Sequence, residues 1–201
     1  MSVAIVRPSV GHERAFIEMV ADFEAHDLEN AEFYLAAKGN FEKYVLSLLD
    51  EERGLNLQQG RVPCTHRWLM ESGGAVVGAT RLRHNIDTPF LATEGGHIGY
   101  DVAPGWRGRG YGHRALQAAL EEAQNLEIDR VLLVADESNE ASRKVIVRHG
   151  GELEAIIFSE RLKQRVCRYW IRVPRGDGRK RSWPGHGILT KRGGRHETQR
   201  S

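Results

Sequence analysis

The segment from Gly96 to Leu126 constrains the fold of this chain more than any other. It reads Gly96-His97-Ile98-Gly99-Tyr100-Asp101-Val102, then Ala103-Pro104-Gly105-Trp106, then Arg107-Gly108-Arg109-Gly110-Tyr111-Gly112. An amphipathic run through Leu116, Ala119, Leu120, Ala123 and Leu126 follows. That order predicts a strand, a tight glycine-rich loop and a helix. Such a loop gathers backbone N–H groups and a helix N-terminus around one point, which suits an anion such as a phosphate. Glycine serves there because a residue without Cβ lets the backbone approach a ligand closely. Neither common phosphate motif fits. No Lys follows Gly112 as Walker A requires, and His113 stands where the dinucleotide fingerprint needs its third glycine.

The flanking sequence supplies the rest of an α/β domain. Val3–Arg7 reads as a strand stopped by Pro8, and Val10–His26 as a helix with Phe16, Ile17, Val20 and Phe23 on one face. Asn30–Arg53 predicts one or two further helices, interrupted at Gly39-Asn40. Thr65–Glu71 and Ala75–Arg83 read as a hairpin turning at Ser72-Gly73-Gly74. Arg130–Ala135 is a short apolar run typical of a strand buried on both faces. Ser138-Asn139 offers an N-cap to a helix that Gly150-Gly151 stops. Strands at about Glu152–Phe158 and Arg165–Val173 close the domain. The expected fold is therefore α/β: a mixed, mostly antiparallel central sheet of about seven strands with helices on both faces.

Charge divides the chain into domain and tail. From Pro174 on, eight Lys/Arg face two acids, so the tail carries +6 and residues 1–173 carry −4 within a net charge of +2. We therefore expect one folded domain over 1–173 and a basic, Gly-rich, flexible tail over 174–201. The tail reads as solvated, or as an arm for an anionic partner. Nucleic acid is not the favoured partner, because only Trp183 offers a stacking surface there. No apolar run reaches the ~18–20 residues of a membrane span, so no membrane partner is expected. Met1–Pro8 turns polar too quickly for a signal peptide. Cys64 and Cys167 form no metal-binding spacing and no disulfide framework, so no metal is expected and semi-buried, reduced thiols in a cytoplasmic setting are.

With these elements in this order, the chain resembles the GNAT superfamily of N-acetyltransferases, in particular a bacterial subgroup of predicted acetyltransferases. Arg107-Gly108-Arg109-Gly110-Tyr111-Gly112 fits the family's Gln/Arg-x-x-Gly-x-Gly/Ala signature, and Asn139 with Gly150 fits its second cofactor segment. The resemblance covers about Ala4 to Val173. It implies acetyl-CoA as the acetyl donor, with the pyrophosphate on the N–H groups of Arg109 to Gly112. Arg107 and Arg109 are candidates for added phosphate contacts or for a merely solvated basic loop. The strand before the loop would bend away from its neighbour and offer its backbone, at Tyr100 and Val102, to the pantetheine arm. Asn139 and Ser142 would reach the pantetheine side, Asn139 also serving as a helix cap. The implied cofactor-binding set is thus Tyr100, Val102, Arg107, Gly108, Arg109, Gly110, Tyr111, Gly112, Asn139 and Ser142. Homodimers are common in the family, so a second copy is an allowed partner.

The reaction implied is acyl transfer from a thioester to an acceptor, most simply a primary amine on a small molecule, a lysine or a peptide N-terminus. It needs a neutral amine, a donor for the oxyanion and a proton for the thiolate. Two slots depart from the family pattern. The Tyr seven residues after the Asn is Ile146 here, and the Glu six residues before the strand-ending Val is Gly96. His97, Glu94 and Tyr100 are the substitute catalytic candidates: His97 or Glu94 as base, with His97 able to titrate near neutrality, and Tyr100 as proton donor or substrate contact. His97, Gly99 and Asp101 share one face of the strand, and Ile98, Tyr100 and Val102 the other; Asp101 reads as structural. Asp22, Glu24, His26, Asp27, Glu29 and Glu32 make the first helices acidic, which would favour a cationic acceptor, whereas Arg81 and Arg83 would favour an anionic one. Two other readings stay open: a catalytically silent acyl-CoA-binding module, and a nucleic-acid-associated protein using the tail.

Overall fold

The computed structural model describes residues 3–175, so the expectations for the tail from residue 176 onward lie outside the described residues. The strands form one sheet. They are β1 (Val3–Val6), β2 (Cys64–Glu71), β3 (Val76–Arg83), β4 (Ile98–Val102), β5 (Arg130–Asp136), β6 (Glu152–Ser159) and β7 (Gln164–Arg172). Their order across the sheet is β1-β2-β3-β4-β5-β7-β6. All neighbours are antiparallel except β4 and β5, which run parallel.

The β2–β3 part of one face is covered by α1 (Glu13–His26), α2 (Leu28–Ala31), α3 (Ala36–Gly39) and α4 (Phe41–Arg53). Phe16, Val20, Phe23, Tyr34, Phe41 and Val45 pack there on Trp68 and Ala79. The opposite face carries α5 (Tyr111–Asn125) and α6 (Glu140–Arg148). Leu116, Ala119, Ala123 and Ile146 meet Leu82, Ile98, Leu133, Tyr169 and Ile171. Both layers follow from period: apolar residues recur every three to four positions on the helices and every second position on the strands.

Four local readings change. The Val10–His26 helix opens with a 3₁₀ turn at Val10–His12, where Ser9 Oγ accepts from Gly11 N–H. Asn30–Arg53 becomes short helical pieces before α4. Asn40 ends the second by adopting an extended backbone, and its side chain caps α4 by accepting from Lys43 N–H at 2.8 Å. The connection before β4 contains a π-helical turn at Leu91–Gly95 that no periodicity announced. Cys64 and Cys167 are both fully buried, not semi-buried, one on each face of the sheet.

Candidate active site

The site begins with a parting of two strands. Arg83 N–H donates to His97 O at 2.8 Å and Ala103 N–H to Val77 O at 3.0 Å. Those two bonds fix the alternation of β4: its odd-numbered residues bond β3, and Ile98, Tyr100 and Val102 turn their N–H groups toward β5. β5 answers at a single pair, Ile98 with Leu133. Beyond that pair the strands diverge, and the amides of Tyr100 and Val102 have no strand beside them.

The vertex of the parting is closed by backbone and by His97. Leu132 O accepts from His97 N–H at 2.7 Å, and Leu132 N–H donates to His97 Nδ1 at 2.9 Å. The imidazole is 7% exposed and stands edge-on to Trp170. Burial, with Arg83 and Arg130 nearby, holds its pKa at about 4. The expectation that His97 titrates near neutrality therefore fails, because the ring is a buried acceptor for a backbone N–H. Gly96 lies at φ 63°, and a Cβ on it would sit 2.5 Å from Leu132 O. The slot where the family pattern carries Glu is thus filled by the main chain of β5. Glu94 points elsewhere: its Oε2 accepts from Ser159 Oγ at 2.6 Å, at the end of β6. Ile146 is 1% exposed and belongs to the core under α6.

The open end of the parting leads to the loop and α5. Gly108 and Gly110 adopt φ of 74° and 82°, conformations that favour glycine. They bring the chain into α5 with Gly110 as N-cap and no side-chain cap, leaving the first N–H groups for a ligand or water. Neither basic side chain of the loop lies free. Arg107 donates from Nε to Val102 O at 3.0 Å and pairs with Asp27. Arg109 donates to Gly105 O at 3.0 Å and lies over the Trp106 ring. Burial pushes the Asp27 carboxyl up, but Arg107 and Asn30 outweigh it and hold the pKa below the usual range.

Between β4 and α6 stands a hydroxyl pair. Tyr100 Oη lies 3.0 Å from Ser142 Oγ. Burial raises the phenol pKa more than the Ser142 contact lowers it, so the group is protonated at neutral pH. Ser142 is fixed by the helix start, where Asn139 Oδ1 accepts from its N–H at 3.0 Å. Asn139 therefore serves as a cap. Gly112 packs beside this ring: a Cβ there would lie 3.6 Å from the ring and from Val145, in ordinary van der Waals contact.

The other face of β4 meets α1–α4. Arg81 Nη2 pairs with Asp101 Oδ2 at 2.7 Å, Tyr34 Oη donates to the same oxygen at 2.6 Å, and Arg81 Nη1 donates to Tyr34 Oη at 3.0 Å. Burial lifts the Tyr34 pKa, with Asp101 adding to it. Burial opposes the Arg81 charge, but Asp101 and Tyr34 outweigh it and hold the guanidinium ionised. Phe33 stacks on this guanidinium at 4.7 Å. Arg83 donates to Gly95 O and Gly96 O, both at 3.0 Å. Arg81 is closed into this network, and Arg83 commits Nη1 to the two carbonyls. Three acids of the first helices are engaged within the protein: Asp22 accepts from Gly105 N–H at 2.8 Å, Glu24 pairs with Lys38 at 2.8 Å, and Asp27 pairs with Arg107, while Glu32 lines the groove described next. A groove of about 410 Å³ runs along this face, with Glu32, Phe33, Tyr44, Glu51, His66 and Arg81 on its walls. Arg81, one of its lining residues, stands against mid-β4: a Cβ on Gly99 would lie 3.2 Å from Arg81 Nη2.

Sequence reasoning missed Tyr34, which read simply as one apolar position on a helix. Its partner Asp101 is 67 residues away, and only the sheet brings them together.

The end of the β4–β5 ladder thus lies beside a helix N-terminus without a side-chain cap, with a polar groove on the opposite face of the sheet. The model of the acetyltransferase (GNAT) family matches residues 22–150. Solved structures with the same fold include the ribosomal L7/L12 alpha-N-protein acetyltransferase RimL in complex with coenzyme A. It is 17% identical, with 86% of this chain and 95% of that one covered, at a TM-score of 0.66. An acetyltransferase from Salmonella typhimurium that modifies the N-terminal serine of L7/L12 is also 17% identical, over 87% and 96%, at 0.60. The microcin C7 self-immunity acetyltransferase MccE, bound to acetyl-CoA and AMP, is 12% identical over 85% and 92%, at 0.61. No curated protein sequence matches the chain. The chain belongs to the acetyltransferase (GNAT) family. It is an acetyl-CoA-dependent enzyme that transfers acetyl to an amine.

Proposed function

We propose that the acetyl-CoA arm lies in the parting of β4 and β5 and that the acceptor amine enters by the groove that Arg81 borders, beside Gly99. The observation that carries this reading is the pair of amides at Tyr100 and Val102 that β5 leaves without a partner. Acetyl-CoA supplies a thioester whose carbonyl carbon is open to attack by an amine. Tyr100 and Val102 N–H groups are placed to bond the arm and to stabilise charge developing on the carbonyl oxygen, a contribution commonly worth ~3–4 kcal/mol. The first N–H groups of α5 hold an anion where the loop ends. Tyr100 holds a phenolic proton next to Ser142, within reach of a leaving thiolate. Arg107 positions Val102 by bonding its carbonyl, and Arg109 braces the loop.

Neither base candidate read from the sequence is free for the role. His97 is neutral and bonded to Leu132, and Glu94 is bonded to Ser159. Solvent in the groove takes the amine proton, so the rate should follow the acceptor's own pKa. The acceptor itself is a primary amine on a small molecule or a peptide, admitted between the exposed Phe33 and the acids Glu32, Asp50 and Glu51. Free buried thiols at Cys64 and Cys167 support a reducing, cytoplasmic setting.

The test has two arms. Acetyl-CoA should raise the melting temperature, because it binds only the native state. A panel of primary amines should then release free thiol, with rates that rise with pH through each amine's pKa. No thermal shift at millimolar acetyl-CoA would overturn the donor site. A shift without thiol release from any amine or peptide would overturn the acceptor assignment.

A further inference from the structure

The groove borders a second cluster, one member of which, Glu51, also stands at the proposed acceptor entry. Cys64 and His66 are two apart on β2, so both side chains leave the same face of the sheet. The last turns of α4 lay Glu51 over them. Glu51 Oε2 lies 2.8 Å from His66 Nε2, and one ligand atom from each of Glu51, Cys64 and His66 lies within 4.8 Å of the other two. Cys64 is buried, and the side chains of His66 and Glu51 are 11% and 22% exposed. The position of Glu51 is well determined: Gly54 closes α4 in a left-handed conformation, its N–H bonding Asp50 O and Glu51 O.

We propose that Glu51, Cys64 and His66 form a zinc site with three protein ligands and a fourth position open to the groove. The donor set decides the metal. A thiolate and an imidazole select zinc or a similar borderline cation over calcium or magnesium, which prefer oxygen ligands. Zinc bonds of about 2.0–2.3 Å place tetrahedral ligand atoms roughly 3.3–3.8 Å apart, a small adjustment from the present separations. A thiolate and a carboxylate also balance the charge of a divalent ion. Two cations lie near. Arg61 Nη1 is 3.8 Å from the other Glu51 oxygen, and Arg83, opposite Cys64 in the ladder, is tied to the carbonyls of Gly95 and Gly96. Glu51, His66 and Arg61 line the groove, which supplies the entry path. On binding, the metal displaces the thiol proton and any proton on His66, and no electron is transferred. This site is independent of the donor site on the other face.

Cobalt(II) is the probe, since it reports its ligands by colour. Titrating the full-length, metal-free protein should give one equivalent of bound cobalt, with a thiolate-to-cobalt charge-transfer band and the intense visible bands of a tetrahedral site. One equivalent of zinc should displace it. Cys64→Ser should abolish the charge-transfer band, and His66→Gln and Glu51→Gln should each weaken zinc binding at least tenfold. Cys167→Ser, on the opposite face, should change nothing. If Cys64→Ser does not fold, the two other ligand variants carry the test. The proposal is overturned if the parent protein shows no thiolate band. It is also overturned if the ligand variants bind zinc as the parent does, or if Cys167→Ser behaves like Cys64→Ser.

Discussion

The two sides of β4 treat their polar groups in opposite ways. Toward β5 the strand leaves the Tyr100 and Val102 amides without a strand partner, and α5 starts without a side-chain cap. Toward α1–α4 the charges are closed on one another, as in Arg81, Asp101 and Tyr34. Backbone groups kept open are a binding surface that depends little on side-chain identity. Charges closed into a network are scaffold, and they leave the choice of acceptor to the groove's shape and rim. Lesions on the closed side should therefore reduce stability, and lesions on the open side should reduce binding or turnover.

The largest effect is expected on the closed side. Asp101→Asn leaves the buried Arg81 charge without its counter-ion, a loss of about 3–5 kcal/mol. Urea unfolding should show it, while acetyl-CoA affinity of the folded protein stays within about threefold of the parent. Gly96→Ala should cost about 2–4 kcal/mol, from a strained φ and a collision with Leu132 O. A smaller loss would mean that the vertex of the parting can move.

His97 links stability to acid. Its folded pKa of about 4 lies below the ordinary value of 6.5, so between those values the unfolded chain binds the extra proton. Stability falls as pH drops through that window, by about 2–3 kcal/mol in all. His97→Asn keeps an oxygen acceptor for Leu132 N–H but cannot be protonated there, so its stability should vary less from pH 6.5 to 4. Equal pH profiles for the two proteins would contradict the buried-acceptor role. The smallest effect belongs to the proton donor. Tyr100→Phe should lower kcat about tenfold, or ~1.4 kcal/mol, with acetyl-CoA affinity nearly unchanged. An unchanged kcat would move the acid elsewhere.

Much of the fold was legible because period and turn chemistry are local. The Gly108 and Gly110 turns, the Asn139 cap and the Arg130–Asp136 strand all follow from neighbours in sequence. The parting of β4 from β5 was legible only through the family resemblance, since a missing ladder leaves no pattern in either strand. Catalytic roles were the least legible. Whether His97 is a base or a buried acceptor depends on Leu132, 35 residues away, and whether Glu94 faces the site depends on Ser159, 65 residues away. The π-helical turn at Leu91–Gly95 swings Glu94 toward β6, and no residue pattern signals such a turn.

The central claim is that the unpartnered edge of β4 receives the acetyl-CoA arm. Residue-resolved amide hydrogen exchange tests it most directly. The Tyr100 and Val102 amides should exchange quickly in the free protein and become strongly protected at saturating acetyl-CoA, together with the first amides of α5, while Asp101, bonded to β3, changes little. If acetyl-CoA binds and the Tyr100 and Val102 amides exchange as before, the arm lies elsewhere and the account is wrong.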